Sequence, residues 1–127
     1  MTLGGSRGLK PTKVSEMYEY DAICSRVVDG DTIDARVDLG FRVWIECRVR
    51  LLGIDAPETR TKDLEEKKAG FKTKAFLEAL MEDCGHSFKL QSHGVGKFGR
   101  CLGVIYIDGE NINERLIAEG LADNYAK

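Results

Sequence analysis

A mainly β barrel with helices, in the order β-β-β-α-β-β-α, is the fold class this chain predicts. Three observations predict it. Segments of alternating apolar and polar residues follow one another from Tyr18 to Leu51, separated only by short Gly-containing turns. A long stretch of helical periodicity comes next, between residues 65 and 83. Two more strand-like segments and a short helix close the chain, with no internal repeat and no second domain. Five strands with a helix between the third and fourth are the signature of an OB-fold, a partly open barrel that often binds oligonucleotides.

The elements follow in order. Tyr18 to Val28 is rich in β-branched and aromatic residues, and Asp29-Gly30 is a hairpin dipeptide. Thr32 to Asp38 alternates, with Ile33, Ala35 and Val37 on one face. After Leu39-Gly40, the run Phe41, Val43, Ile45, Cys47, Val49 and Leu51 alternates strictly and predicts one long strand with a continuous apolar face. Arg42, Trp44, Glu46, Arg48 and Arg50 take the other face. Pro57 ends this pairing, because it lacks a ladder donor and disfavours helix at Ala56.

Glu65 to Asp83 reads as a helix with Ala69, Thr73, Phe76, Leu77 and Leu80 inward, stopped at Cys84-Gly85. His86 to Ser92 is a strand, His93 to Gly96 a flexible turn, and Arg100 to Ile107 the fifth strand. Asp108-Gly109 turns the chain into a helix over Asn113–Glu119, capped by Asn111 and ended by Gly120.

Composition bounds the rest. The 127 residues suit one domain; 43% are apolar and 31% charged, which excludes a wholly disordered chain. The formal net charge of -2 excludes a uniformly basic coat, so any polyanion must be held by local charge. No apolar run approaches the ~20 residues of a membrane span. Residues 1–17 are aperiodic and rich in Gly, Ser and Lys; they predict a disordered tail ahead of a domain over 18–127. This start has no apolar secretory core, so a cytoplasmic location is expected, with secretion left open; a monomer is expected as well. Cys24, Cys47, Cys84 and Cys101 form no Cys-x-x-Cys and are expected reduced. Cys84, His86, His93 and Cys101 match no familiar zinc-ligand spacing.

Charged residues gather where the meander places turns and strand ends: Val28-Asp-Gly-Asp-Thr32, Arg50-Leu-Leu-Gly-Ile-Asp-Ala-Pro-Glu-Thr59 and Lys97-Phe-Gly-Arg100. Asp31, Asp55 and Glu58 are hard oxygen donors that suit Ca²⁺. Arg50 and Arg100 are planar forks suited to phosphate. Carboxylates, a divalent ion and two arginines in one cleft describe phosphodiester hydrolysis.

With Ile112-Asn-Glu-Arg-Leu-Ile-Ala-Glu-Gly-Leu-Ala122, these motifs make the chain resemble the staphylococcal (micrococcal) nuclease family, also called thermonuclease or SNase-like domains, from about Tyr20 to Ala122. The resemblance implies a Ca²⁺-dependent endonuclease acting on DNA and/or RNA, with single strands preferred, that leaves 3′-phosphates. It implies that Asp31, Asp55 and the Ala56 carbonyl bind calcium. It makes Glu58 the base or orienter of the attacking water, and Arg50 and Arg100 the holders of the scissile phosphate. Lys97 and Phe98 match a Lys-Tyr pair that contacts a terminal phosphate, with Phe98 lacking the hydroxyl; Tyr125 is the candidate for base stacking. A non-hydrolytic binding module of the same family is the competing reading. The joint presence of Asp31, Arg50, Asp55, Glu58 and Arg100 favours the enzyme.

Overall fold

The computed structural model describes residues 18–125; the expected tail, residues 1–17, lies outside them. Three antiparallel strands lead: β1 (Tyr18–Asp29), β2 (Thr32–Gly40) and β3 (Val43–Leu51). After the two-residue β4 (Ile54–Asp55) comes helix α1 (Leu64–Asp83), then β5 (Ser87–Val95) and β6 (Cys101–Ile107). Short β7 (Glu110–Asn111), helix α2 (Ile112–Ala118) and β8 (Asp123–Asn124) complete the described chain.

The main sheet runs β3-β2-β1-β5-β6-β7, and a parallel pairing of β3 with β6 closes five strands into a barrel. This is the OB-like architecture expected from the element order. Ile33, Val49, Leu51 and Ile105 fill the barrel, and Leu77, Met81, Ile112 and Leu116 bring the helices onto it. Among the described residues, no helix is long and apolar enough to cross a membrane.

Five expectations need correction. Phe41 and Arg42 are not strand residues: both take positive φ in the β2–β3 turn, and Phe41 is fully exposed. The apolar face of β3 is buried only toward its end. Val49 and Leu51 are sealed, while Val43 and Ile45 remain 48% and 42% exposed because the hairpin projects past the barrel. The expected turn from His93 is strand as far as Val95, with a bulge between Ser92 and Val95 that absorbs Gly94 at φ 102°. The buried stripe of α1 runs through Gly70, Thr73, Leu77 and Met81, so Ala69 faces outward. Both helices begin one residue earlier than expected, behind the caps Asp63 and Asn111, whose carboxylate and amide oxygens accept the first backbone N–H groups.

One buried side chain ties the second half together. The Oδ1 of Asn113 accepts from Ile105 N–H at 3.1 Å, and its Nδ2 donates to Leu52 O at 2.8 Å and Gly103 O at 3.1 Å. The amide thereby links α2 to β6 and to the end of β3, beside the barrel seam.

Candidate active site

The β1–β2 turn presents Asp31, which is 9% exposed. Its carboxylate accepts from the Thr32 hydroxyl at 3.0 Å and from Ala56 N–H at 2.9 Å. The second of these bonds crosses from the turn to the chain that follows β4, so it brings Asp31 beside Asp55 and the Ala56 backbone. Gly30 is required here, because a Cβ would overlap the Thr73 side chain of α1. The helix thus packs directly on the turn that carries the acid.

Arg50 stands between the two aspartates. Its Nη1 lies 3.5 Å from Asp31 Oδ2, and its Nη2 lies 3.6 Å from Asp55 Oδ1. The same Nη1 donates to Leu51 O at 3.0 Å and Ile54 O at 2.9 Å. Those carbonyl bonds fix the guanidinium, and the longer ion pairs leave the carboxylates room to exchange partners. Asp55 is the more exposed acid and projects from the β4–β8 ribbon.

Glu58 reaches the same place by a different route. Its backbone N–H donates to Glu66 Oε2 at 3.3 Å, and Thr59 Oγ1 donates to Asp29 Oδ1 at 2.7 Å. α1 presses on this segment through Gly70. A Cβ at Gly70 would lie 2.6 Å from Glu58 O and 2.8 Å from Pro57 O. Gly in mid-helix costs ~1 kcal/mol relative to Ala. Here it permits the close approach that sets the height of Glu58.

Asp31, Asp55, Ala56, Glu58, Arg50 and Arg100 all line one cavity of about 410 Å³. A second cavity of about 350 Å³ adjoins it, lined by Lys97, Phe98 and Tyr125 and again by Arg50 and Arg100. All nine expected site residues therefore gather at one mouth of the barrel. Arg100 is half-buried, lies 5.8 Å from the Phe98 ring, and makes no ion pair among the described residues. Tyr125 is brought in by its N–H, which donates to Gly53 O at 2.8 Å at the end of the β4–β8 ribbon.

Arg48 and Arg60 also line the first cavity and were not among the expected residues. Arg48 lies two residues before Arg50, so period-two alternation on β3 places both on one face. It is engaged by Asp34, with Nε 2.8 Å from Oδ1, and this bond holds the Asp34 carboxyl below the ordinary carboxylate range. Arg60 offers no signal beyond following Glu58 by two positions. Among the described residues, no three His, Cys, Asp or Glu side chains are grouped to hold a metal, and Cys84, His86, His93 and Cys101 form no such cluster. The four cysteines are free thiols. Burial raises the Cys24 thiol to about 11 and, with the neighbouring Cys101, Cys47 to about 12.

A five-stranded OB-like barrel with acids and arginines gathered at its mouth defines an SNase-like domain. A family model described as Staphylococcal nuclease homologue matches residues 48–127, and the chain belongs to that family. It is 34% identical to Endonuclease YhcR of Bacillus subtilis (strain 168) over 123 residues, which is 91% of this chain and 10% of that protein. It is 36% identical to Probable staphylococcal-like nuclease CAN1 of Oryza sativa subsp. japonica over 78 residues, 61% of this chain and 21% of that protein. It is 30% identical to the Thermonuclease of Staphylococcus intermedius over 100 residues, 79% of this chain and 56% of that protein. The chain thus spans from a tenth to just over half the length of these relatives.

Proposed function

We propose that this chain is a Ca²⁺-dependent nuclease that hydrolyses phosphodiester bonds of DNA and/or RNA. The observation that carries the reading is the approach of Asp31 and Asp55 to one guanidinium, at 3.5 and 3.6 Å, in a cavity that Glu58 and Arg100 also line. Relatives named endonuclease and thermonuclease support the same chemistry.

The donors suit a hard cation: two carboxylates, with the Ala56 carbonyl as the backbone ligand. Two charged ligands with an arginine beside them place the affinity at the weak end of the calcium range. When bound there, calcium supplies positive charge against the phosphate and makes a neighbouring water more acidic. Glu58 orients that water for in-line attack and receives its proton. Arg100 donates to the equatorial phosphate oxygens as charge develops on them, and Arg50, which lines the same cavity, supports it. The bond to the 5′ oxygen breaks, the departing oxygen takes a proton from solvent as a 5′-hydroxyl, and the 3′ side keeps the phosphate.

In the adjoining cavity, the Lys97 ammonium meets the neighbouring phosphate, and Phe98 and Tyr125 offer faces to an unpaired base, which favours single strands. Phe98 has no hydroxyl, so it contributes packing alone.

The test is incubation of the purified chain with single-stranded DNA or RNA, in calcium or in a chelator, with identification of the product ends. Cleavage only with calcium, leaving 3′-phosphates, is expected. Tight binding without cleavage would overturn the hydrolytic reading in favour of a binding module.

A further inference from the structure

Two thiols meet where the barrel seam begins. β6 starts at Cys101, and its pairings with β3 join Val49 to Cys101, Arg50 to Leu102 and Leu51 to Gly103. Paired residues share a face of the sheet, so Cys101 stands on the face of Val49. Cys47 lies two residues before Val49 and takes that face as well. The two cysteines are therefore diagonal neighbours at the open end of the seam. Both pack against the barrel core yet remain partly accessible, whereas Cys24 is buried. The Cys47 thiol is pushed up to about 12 by burial and by the Cys101 thiol beside it. Diagonal neighbours on adjacent strands lie ~7–8 Å apart between Cα atoms, and a disulfide favours ~5.5–6 Å. Joining this pair thus requires the backbone to move by ~1–2 Å. β3 is held along its length by β2, while Cys101 is the first residue of β6 and follows a turn with Gly99 at φ 79°. Its partner on the other side, Val95, ends the bulged part of β5. Cys101 is therefore the one to move, back along β3 toward Cys47. Arg100 directly precedes it and moves with it.

We propose that Cys47 and Cys101 are a redox switch: a disulfide between them staples the open end of the seam and draws Arg100 away from the two aspartates, and reduction returns it. The direction follows from the register. Arg50 and Leu51 mark the level of Asp31, through the pairing of Arg50 with Thr32 and the Leu51 N–H on Asp31 O at 2.8 Å. Cys47 lies on the other side of Val49 from that level. The oxidant is a low-molecular-weight disulfide, and the step is thiol–disulfide exchange. Cys47 keeps its proton, so the Cys101 thiolate attacks first; it forms a mixed disulfide and expels one thiolate. The Cys47 proton passes to that thiolate, and the Cys47 sulfur displaces the second from Cys101. One S–S bond forms in the protein as one breaks in the oxidant, and two electrons leave with two small thiols. The effect on cleavage rests on the proposed hydrolysis; the disulfide does not.

The test equilibrates the full chain with reduced and oxidised glutathione in defined ratios, then alkylates free thiols and maps the peptides by mass spectrometry. A Cys47–Cys101 link within one chain is expected, reversed by dithiothreitol. Mixed disulfides without that link, or another pairing in its place, overturn the proposal. Cleavage of single-stranded DNA in calcium is expected to fall about tenfold or more on oxidation, the scale of a displaced reacting group, and to return on reduction. Cys47→Ser is expected to keep the reduced rate under both conditions. A linked chain that cleaves at the reduced rate overturns the switch, as does a loss that persists in Cys47→Ser. Amide hydrogen exchange reads the staple without cleavage. The Leu52 N–H, which donates to Gly103 O across the seam, is expected to exchange about tenfold more slowly in the linked chain. Unchanged exchange overturns the staple. A reduced chain that cleaves nothing counts against the proposed hydrolysis instead, and mapping and exchange still decide the disulfide.

Discussion

The two halves of β3 carry the same alternation and meet opposite fates. Val49 and Leu51 are sealed between β2, β6 and the helices, while Val43 and Ile45, on the same face, stand in the open. Alternation specifies which side chains share a face, but not whether another element arrives to cover that face. Coverage here depends on where β6 begins, at Cys101, and on the side chain of Asn113 that joins β6 to the end of β3. The covered half also carries Arg50 of the proposed site. Arg50 stands in the middle of the seam, where its guanidinium can be fixed by Leu51 and Ile54 carbonyls and aimed at two acids.

Substitutions sharpen this contrast. Leu51→Ala is expected to lower stability by ~2–5 kcal/mol, the cost of a cavity in a sealed core. Val43→Ala is expected to change it by less than ~0.5 kcal/mol. Urea unfolding of both variants checks the difference, and equal losses would break the comparison. Asn113→Ala removes the partner of one backbone N–H and two carbonyls. At ~1–3 kcal/mol for each unsatisfied buried group, a loss of ~3 kcal/mol or more is expected in the same assay.

Gly70→Ala probes the site rather than the seam. Helix propensity favours Ala by ~1 kcal/mol, but the added methyl meets the Pro57 and Glu58 carbonyl oxygens. Overpacking of this kind costs ~1–3 kcal/mol, so the net change in melting temperature is small or downward. Displacement of Glu58 is expected to slow nucleic-acid cleavage by about tenfold to a hundredfold, a scale set by misplacing a reacting group. A stabilised variant with full activity would show that the close approach is incidental.

Arg48→Met probes an exposed ion pair at the rim of the first cavity. The Asp34 carboxyl is held low when folded, so its contribution is present above its unfolded pKa and lost as pH falls through the folded value. The variant is expected to return Asp34 to the ordinary range, read by NMR titration, and to remove that acid-limb dependence. The pair is solvent-exposed, so the stability change at neutral pH is small.

Much of this architecture was legible in the sequence because its signals are local. Residue type and alternation located the five barrel strands, Asp29-Gly30 and Asp108-Gly109 located turns, and the motifs around Asp31, Asp55 and Arg100 located most of the charged residues that line the first cavity. What was not legible is non-local. The β4–β8 ribbon is two residues wide on each side and has no periodicity to detect, yet it carries Asp55 and positions Tyr125. Positive φ at Phe41 and Arg42 breaks an alternation that the residue types alone would continue. The contact of Gly70 with the Glu58 backbone joins residues on separate elements, and nothing near Gly70 in the chain announces it.

The central claim is that the barrel mouth hydrolyses phosphodiesters through its own charged side chains. The most direct measurement is the rate at which Arg100→Ala cleaves single-stranded DNA in saturating calcium, beside the parent chain at matched folding. Arg100 makes no ion pair among the described residues, so its removal leaves the acid pair and the seam in place. The account predicts a fall of at least ~10²-fold, the scale of a lost transition-state donor. A rate within about threefold of the parent, well inside that scale, would contradict it.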